Sequence, residues 1–385
     1  MIQPDPDKTK LLFLLSNDYG ELFDAMCFVQ GTGLEATFAM PPRLFSVNRA
    51  DFPYPASPYS SESDIREVIA QTRPSRVLLF SGYLYVINGN LELESLERLL
   101  RSWRDQNLNV ATSDPFLGLM SAVGNSTFNE RHPMYRWLMS HFSQISRLLQ
   151  DYVHIYHGAP GMQTGNQVSF FSRHIILQPS QREQSRRKLF EWSRIDEAKR
   201  RWLCILSTED YAAQLTKYGA ERFLELLSRR LQDAVRYGRQ PVLLAPQPCV
   251  AAIEARMKGI GDLVALSACS YTLFMLLLHD AEYVFYWNVF SASIIGRAVN
   301  RLPLFFFDRG HLTDALRPFF AEAMRHFYAG CQIELLELAE PLAPERLAPL
   351  AARQEEGIFL PGTKNCAGCL SPEEVMRRLV GVPSA

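Results

Sequence analysis

Regular structure begins with Lys10-Leu11-Leu12-Phe13-Leu14-Leu15-Ser16, a continuous apolar run of the kind buried on both faces of a parallel sheet. It stops at Asn17-Asp18-Tyr19-Gly20, a turn signal. From Glu21 to Gln30 the apolar residues Leu22, Ala25, Met26 and Val29 then fall at helical spacing. Gly31 and Gly33 break that pattern before a second apolar run, Ala36 to Met40, and the three segments together predict a βαβ unit. The alternation continues with a helix from Ser63 to Thr72 before the strand Val77 to Phe80, and a helix from Glu94 to Asp105 before Val110 to Thr112. A helix from His132 to Gln150 precedes two further strands, Val153 to Tyr156 and His174 to Leu177. The stretch between Phe45 and Ser61, rich in Pro, Tyr and Ser, reads as a long surface loop.

The second half repeats the alternation more clearly. Strands are predicted at Trp202 to Leu206, Pro241 to Ala245, Leu263 to Leu266, Glu282 to Tyr286, Leu304 to Phe307 and Ile333 to Leu338. Helices fall between them at Glu221 to Tyr237, Cys249 to Lys258, Tyr271 to His279, Ser291 to Asn300 and Leu316 to Tyr328. Strands that alternate with helices in this way predict α/β domains with doubly wound sheets. Between the halves, residues 180–201 mix Arg182, Arg186, Arg187, Lys188, Arg194, Lys199, Arg200 and Arg201 with Glu183, Glu191, Asp196 and Glu197. Acidic residues among the basic ones give an exposed, charged linker helix rather than a phosphate-binding patch.

The domain plan is therefore residues 1–179, a linker at 180–201, a second domain at 202–340 and a helical tail at 341–385, with a helix at Glu345 to Ala352 and a capped start at Ser371-Pro372-Glu373-Glu374. The length of 385 residues supports two cores. With 40 basic against 41 acidic residues the net charge is −1, so no overall field recruits nucleic acid. The opening residues lack the basic and apolar regions of a signal peptide, and the apolar runs Leu273 to Leu278 and Tyr283 to Val289 are too short to span a bilayer. A cytoplasmic protein with no integral membrane span is expected. The seven cysteines are scattered through apolar runs and read as reduced core thiols. Only Cys366 and Cys369 form a C-x-x-C pair, and with no second pair beside them they read as part of an ordinary surface tail. His154, His157 and His174 give no zinc spacing, so no metal site is assigned.

Ligands of open doubly wound sheets bind outside the carboxyl ends of the strands. That rule selects the loops Ser16 to Glu21, Ser81 to Tyr83 and Ser113 to Phe116 in the first half. In the second half it selects Ser207 to Asp210, Ser267 to Ser270, Trp287 to Ser293 and Asp308 to His311. Glu209 and Asp210 read as caps of the following helix, and Tyr271, beside Phe274 and Leu278, reads as core.

The stretch from Asp280 to Asp308 resembles the donor-binding domain of GT-B glycosyltransferases. It has a strand, Ser293 at a helix start, and Pro303 ten residues later opening the next strand. The chain departs from that pattern in having Val289-Phe290 in place of a Gly-rich turn, Gly296 in place of a Glu, and Arg301 in place of a Gly. The resemblance implies two Rossmann-like domains facing across a cleft and a sugar moved from a nucleotide-sugar donor to an unknown acceptor. It also implies no required metal and no cofactor beyond the nucleotide sugar. On the donor side it implies contacts from Ser207, Thr208, Asn288, Ser291, Ser293, Asp308, Arg309 and His311. The N-terminus of the Ser291 helix would oppose the charge of the leaving diphosphate. On the acceptor side it implies a general base after a first-domain strand, with Asp18 first and Asp114 second, each of which also reads as an N-cap or Asx-turn. The alternatives are a sugar-nucleotide epimerase on the same fold and a non-catalytic relative that binds a nucleotide or a protein.

Overall fold

The structure, a computed structural model, describes residues 10–17, 19–113, 144–159, 165–172, 186–191, 193–260, 262–311, 325 and 328–380. The chain divides into two compact units, Met1–Ile175 with Ala315–Phe327 and Lys364–Ala385, and Ile176–Asp314 with Tyr328–Thr363. Residues 341–385, read from the sequence as one tail, divide between them. Both units are α/β with parallel sheets, one of seven strands and one of five.

The first unit runs β1 (Lys10–Leu14), α1 (Tyr19–Gln30), β2 (Glu35–Met40), α2 (Pro42–Asn48), β3 (Ala56–Pro58), α3 (Glu62–Thr72), β4 (Arg76–Leu79), α4 (Leu84–Ile87), α5 (Leu93–Asp105), β5 (Asn109–Ser113), β6 (Val153–His157) and β7 (Gln167–Phe170). Its strand order is β3-β2-β1-β4-β5-β6-β7. From β1 the chain therefore winds outward through β2 and β3, returns through α3, and continues on the other side from β4. Residues 11–14 are wholly buried, as a two-sided strand requires, and Phe13 stacks on Phe38 with ring centroids 4.8 Å apart. In α1 the apolar face delivers Phe28 edge-on to Phe170 of β7 at 5.0 Å.

The predicted surface loop between Phe45 and Ser61 holds α2 and β3 instead. Pro42 stands at the first turn of α2, where its missing N–H costs nothing, and β3 is a three-residue edge strand that tolerates Pro58. Strand β7 lies where no strand was expected, and the predicted strand His174 to Leu177 lies outside the described residues, as does most of the Leu316 to Tyr328 helix. The sheet gains a further bridge from the end of the chain: Leu370 N–H donates to Ser169 O at 3.0 Å and Phe171 N–H to Leu370 O at 2.8 Å. The tail is thus packed rather than loose, and Cys366 is buried. The predicted cap at Ser371 forms, with Ser371 N–H donating to Glu374 Oε2 (2.7 Å) and Glu374 N–H to Ser371 Oγ (3.2 Å).

The second unit runs β8 (Arg201–Ile205), α6 (Thr208–Tyr218), α7 (Ala220–Arg236), β9 (Gln240–Leu244), α8 (Gln247–Arg256), β10 (Val264–Leu266), α9 (Tyr271–Asp280), β11 (Ala281–Tyr286), α10 (Ser293–Val299), β12 (Leu304–Phe306) and α11 (Pro344–Gln354). Its order is β10-β9-β8-β11-β12. Trp202, Phe223, Leu227, Leu243, Ile253, Phe285 and Phe307 form one apolar cluster that fixes α7 and α8 against the sheet. The described part of the segment read as an exposed linker helix, residues 186–191 and 193–201, belongs to this unit. Arg201 is buried at the start of β8, donates from Nη2 to Asp196 O at 2.7 Å, and lies 4.7 Å over the Phe190 ring. Of the predicted strand Ile333 to Leu338 only a bridge forms, Phe306 with Leu335, and the Leu335 side chain is 42% exposed. The rim of β12 is completed by a side chain, with Leu304 N–H donating to Gln354 Oε1 at 3.1 Å and Gln354 Nε2 donating back to Leu304 O. Among the described residues no helix is long and apolar enough to cross a membrane.

Candidate functional site

Each sheet reverses its winding once, between β1 and β4 in the first unit and between β8 and β11 in the second. At such a point the loops leaving neighbouring strands diverge and open a crevice. In the first unit this place is tightly organised. Ser16 N–H donates to Glu21 Oε2 at 2.7 Å, Asn88 Nδ2 donates to Ser16 Oγ at 3.3 Å, and the Tyr59 hydroxyl donates to Leu15 O at 2.5 Å. Ser81 takes a left-handed conformation (φ 46°) while its N–H donates to Ser113 Oγ at 2.7 Å. Burial, and then the nearby Glu21 carboxylate, push the Tyr59 phenol well above its ordinary pKa. Asp18 and Asp114, the two base candidates, lie outside the described residues.

In the second unit the crevice is spanned by one carboxylate. Ser207 caps α6, accepting at Oγ from Asp210 N–H at 3.0 Å and donating to Asp210 Oδ2 at 2.8 Å. The capping role read from the sequence for Glu209 and Asp210 thus falls to Ser207, and Asp210, inside the first turn, is the residue it caps. Asn288 Nδ2, from the loop after β11, donates to Asp210 Oδ2 at 2.6 Å. His311, from the loop after β12, brings both its backbone N–H (3.1 Å) and ring Nδ1 (3.0 Å) to Asp210 Oδ1. The loops leaving β8, β11 and β12, neighbours in the sheet, thus converge on a buried carboxylate. Because an ionised carboxylate only accepts, the His311 proton sits on Nδ1 and the lone pair on Nε2. The His311 side chain is 17% exposed against 1% for Asp210. The turn that allows this is Gly310, at φ 96°, where a Cβ would stand 2.4 Å from Asn288 Cβ.

The donor-side residues named from the sequence separate into groups. Ser207, Asn288 and His311 are tied to Asp210. Both ends of the Asn288 amide are engaged, since its Oδ1 accepts from Phe290 N–H at 2.7 Å. Asp308 holds Gln214 Nε2 (2.8 Å) and Lys217 Nζ (3.3 Å) on one oxygen and its neighbour Arg309 N–H (2.7 Å) on the other, which places it in a loop-bracing role. Thr208 and Arg309 are exposed. Ser291 and Ser293 form a hydroxyl chain, with Ser291 Oγ 2.8 Å from Ser293 Oγ and Ser293 Oγ 3.1 Å from the Tyr286 hydroxyl. The helix expected to start at Ser291 starts at Ser293 and runs only seven residues, so its dipole is weaker than supposed. Val289, the first of the departures, and Arg297, the residue after the departure at Gly296, both have structural roles. Val289 is fully buried with its carbonyl accepting from the Tyr328 hydroxyl, and Arg297 is buried with its guanidinium on the carbonyls of Leu278, Ala281, Glu282 and Pro303.

Asp210 as a hub and Tyr286 as part of a polar chain were not foreseen. The only sequence signal for the first was a Ser207-x-x-Asp210 cap, and Tyr286 looked like strand core. Among the described residues no group of three or more His, Cys, Asp or Glu is placed to hold a metal ion.

No protein-family model matches the chain, and no curated protein does. Among solved structures it is similar to the Streptomyces sp. SF2575 glycosyltransferase SsfS6 complexed with thymidine diphosphate, at 10% identity over 97% of this chain and 100% of that one, TM-score 0.48. It is similar also to the UDP-GlcNAc 2-epimerase from Neisseria meningitidis bound to UDP-GlcNAc, at 10% identity over 96% and 99% of the two chains, TM-score 0.49. A third is the UDP-GlcNAc 2-epimerase from Methanocaldococcus jannaschii, at 13% identity over 96% and 99%, TM-score 0.49. Likeness at this level leaves the reaction to be argued from the chain's own residues.

Proposed function

We propose that the protein is a glycosyltransferase that takes its sugar from a nucleotide-sugar donor, with the donor diphosphate held by the second unit at the carboxyl ends of β8, β11 and β12. The observation that supports this reading is the Asp210–His311 pair across the winding reversal. When the bond between the anomeric carbon and the diphosphate breaks, negative charge develops on the leaving oxygen. His311, once protonated at Nε2, supplies a donor to that oxygen, with Nδ1 fixed on Asp210 so that the ring cannot turn away. Ser291 adds a hydroxyl and the exposed Arg309 adds positive charge nearby. This set neutralises the leaving group without a required metal. Asp18, and after it Asp114, is the proposed base for the acceptor hydroxyl.

Isothermal titration with ADP, GDP, TDP and UDP tests the donor site. One of them is expected to bind, and His311→Ala to weaken it about tenfold, the value of one charge-assisted hydrogen bond. Binding of none would remove the reading. Asp18→Asn tests the base, and turnover within threefold of the parent would exclude it, since loss of a general base costs about a hundredfold or more. A second reading, a nucleotide binder without turnover, is favoured by the buried Val289 and the Tyr328 contact that occupy the place of the Gly-rich turn. It predicts a bound nucleotide with no sugar released. Epimerisation would instead convert the donor sugar with no acceptor present.

A further inference from the structure

Tyr286 ends β11 with its ring buried, and burial pushes its phenol up to about 12, so it keeps its proton at neutral pH. Among the described residues the one hydrogen-bond partner of its hydroxyl is Ser293 Oγ at 3.1 Å. Ser293 is buried as well, and its hydroxyl continues to Ser291 Oγ at 2.8 Å, which is only half-buried. Three hydroxyls in a row have two self-consistent directions. If protons pointed inward, from Ser291 to Ser293 to Tyr286, the phenol proton would be left without an acceptor in an apolar interior, which is the costlier arrangement. Pointing outward, Tyr286 donates to Ser293, Ser293 donates to Ser291, and every buried donor is satisfied.

We propose that Tyr286 is a positioning residue that sets the direction of this chain, so that Ser291 meets its ligand as a hydrogen-bond donor aimed at an anionic oxygen. The inference rests on the reading of this crevice as a diphosphate site and deepens it. The site then selects a group that accepts, such as a phosphate oxygen, over one that donates. Ser293, named from the sequence as a ligand contact, works through Ser291. The outward chain is also cooperative, each hydroxyl being polarised by the one behind it.

The test is titration of the parent, Tyr286→Phe, Ser293→Ala and the double variant with ADP, GDP, TDP and UDP, and with the matching nucleosides, which carry no phosphate. For the diphosphate that binds the parent, Tyr286→Phe is expected to lose about fivefold to tenfold, the worth of one hydrogen bond, and less than twofold for the nucleoside. Ser293→Ala should lose as much, and the double variant no more than either single change, because both interrupt one chain. A Tyr286→Phe protein that binds the diphosphate within twofold of the parent, or loses the nucleoside equally, or losses that add in the double variant, would overturn the relay and leave the diphosphate site standing. A parent that binds none of the four diphosphates would overturn the site and the relay together. Should Tyr286→Phe not fold, Ser293→Ala, which removes one oxygen, carries the same comparison.

Discussion

Asp210 Oδ1 accepts from His311 twice, from the backbone N–H at 3.1 Å and from ring Nδ1 at 3.0 Å, so one oxygen fixes both the path of the loop after β12 and the orientation of its imidazole. With Oδ2 engaged by Ser207 and Asn288, the carboxylate has no room for an N–H group. Asp210→Asn puts an amide donor against donors on every side. The expected loss is about 2–4 kcal/mol of unfolding free energy, together with at least a tenfold loss of diphosphate affinity. Urea denaturation reads the first, and a change below about 1 kcal/mol would show the hub to be dispensable.

Gly310 and Gly259 both have positive φ, 96° and 87°, yet a Cβ at Gly310 would collide with Asn288 while one at Gly259 meets nothing within 4 Å. Gly259→Ala should cost about 1 kcal/mol, the backbone term alone, and Gly310→Ala about 3 kcal/mol or more. Equal costs would mean that the Asn288 contact relaxes.

Arg297 is buried, which pulls its guanidinium down to about 10, still charged at neutral pH, and its donors reach four backbone carbonyls around the end of α9 and the flanks of β11 and β12. Arg297→Met is expected to destabilise by about 3 kcal/mol, and Arg297→Lys to restore little of it, since an ammonium cannot fork to carbonyls on separate segments. Chemical denaturation of the three proteins decides, and full rescue by Lys would show that charge alone matters.

Hydrogen bonds from Arg98 and then Arg66 lower the Glu62 carboxyl from 4.5 to about 2. A carboxyl depressed in the folded state contributes stability above its unfolded pKa and loses it as pH falls through the folded one. The stability gap between the parent and Glu62→Gln should therefore be full near neutral pH, decline between about 4.5 and 2, and close below that. Its size is under about 1 kcal/mol, because the Arg98 and Arg66 side chains are solvent-exposed. A gap that widens on acidification would refute the assignment.

Strands β1, β8 and β11 were legible because Leu11 to Leu14, Trp202 to Ile205 and Tyr283 to Tyr286 are apolar without interruption, as burial on both faces requires, a signal that needs no partner to be read. Helix α6 gave no such periodicity, since its two buried residues, Asp210 and Gln214, are polar and, beyond the Ser207 cap, are satisfied by residues 78 to 101 positions away. The same fact hid the hub. The rule about carboxyl ends of strands selected the loops after β8, β11 and β12, which meet at Asp210, but hydrogen bonds at that range leave no local pattern. Edge strand β3 was missed because its three residues include a proline, which marks a turn wherever a sheet does not override it.

The outer margin of the smaller sheet ends in a carboxamide where a sixth strand was expected. Gln354 engages the N–H and C=O of Leu304, and Leu336 N–H donates to Phe306 O at 2.7 Å. A margin whose main-chain groups are already engaged gives a second molecule no template on which to add itself, so crowded protein is guarded here against strand-to-strand aggregation. That guard is a single residue deep, and shortening it to alanine would leave Leu304 ready to recruit whatever extended chain came near.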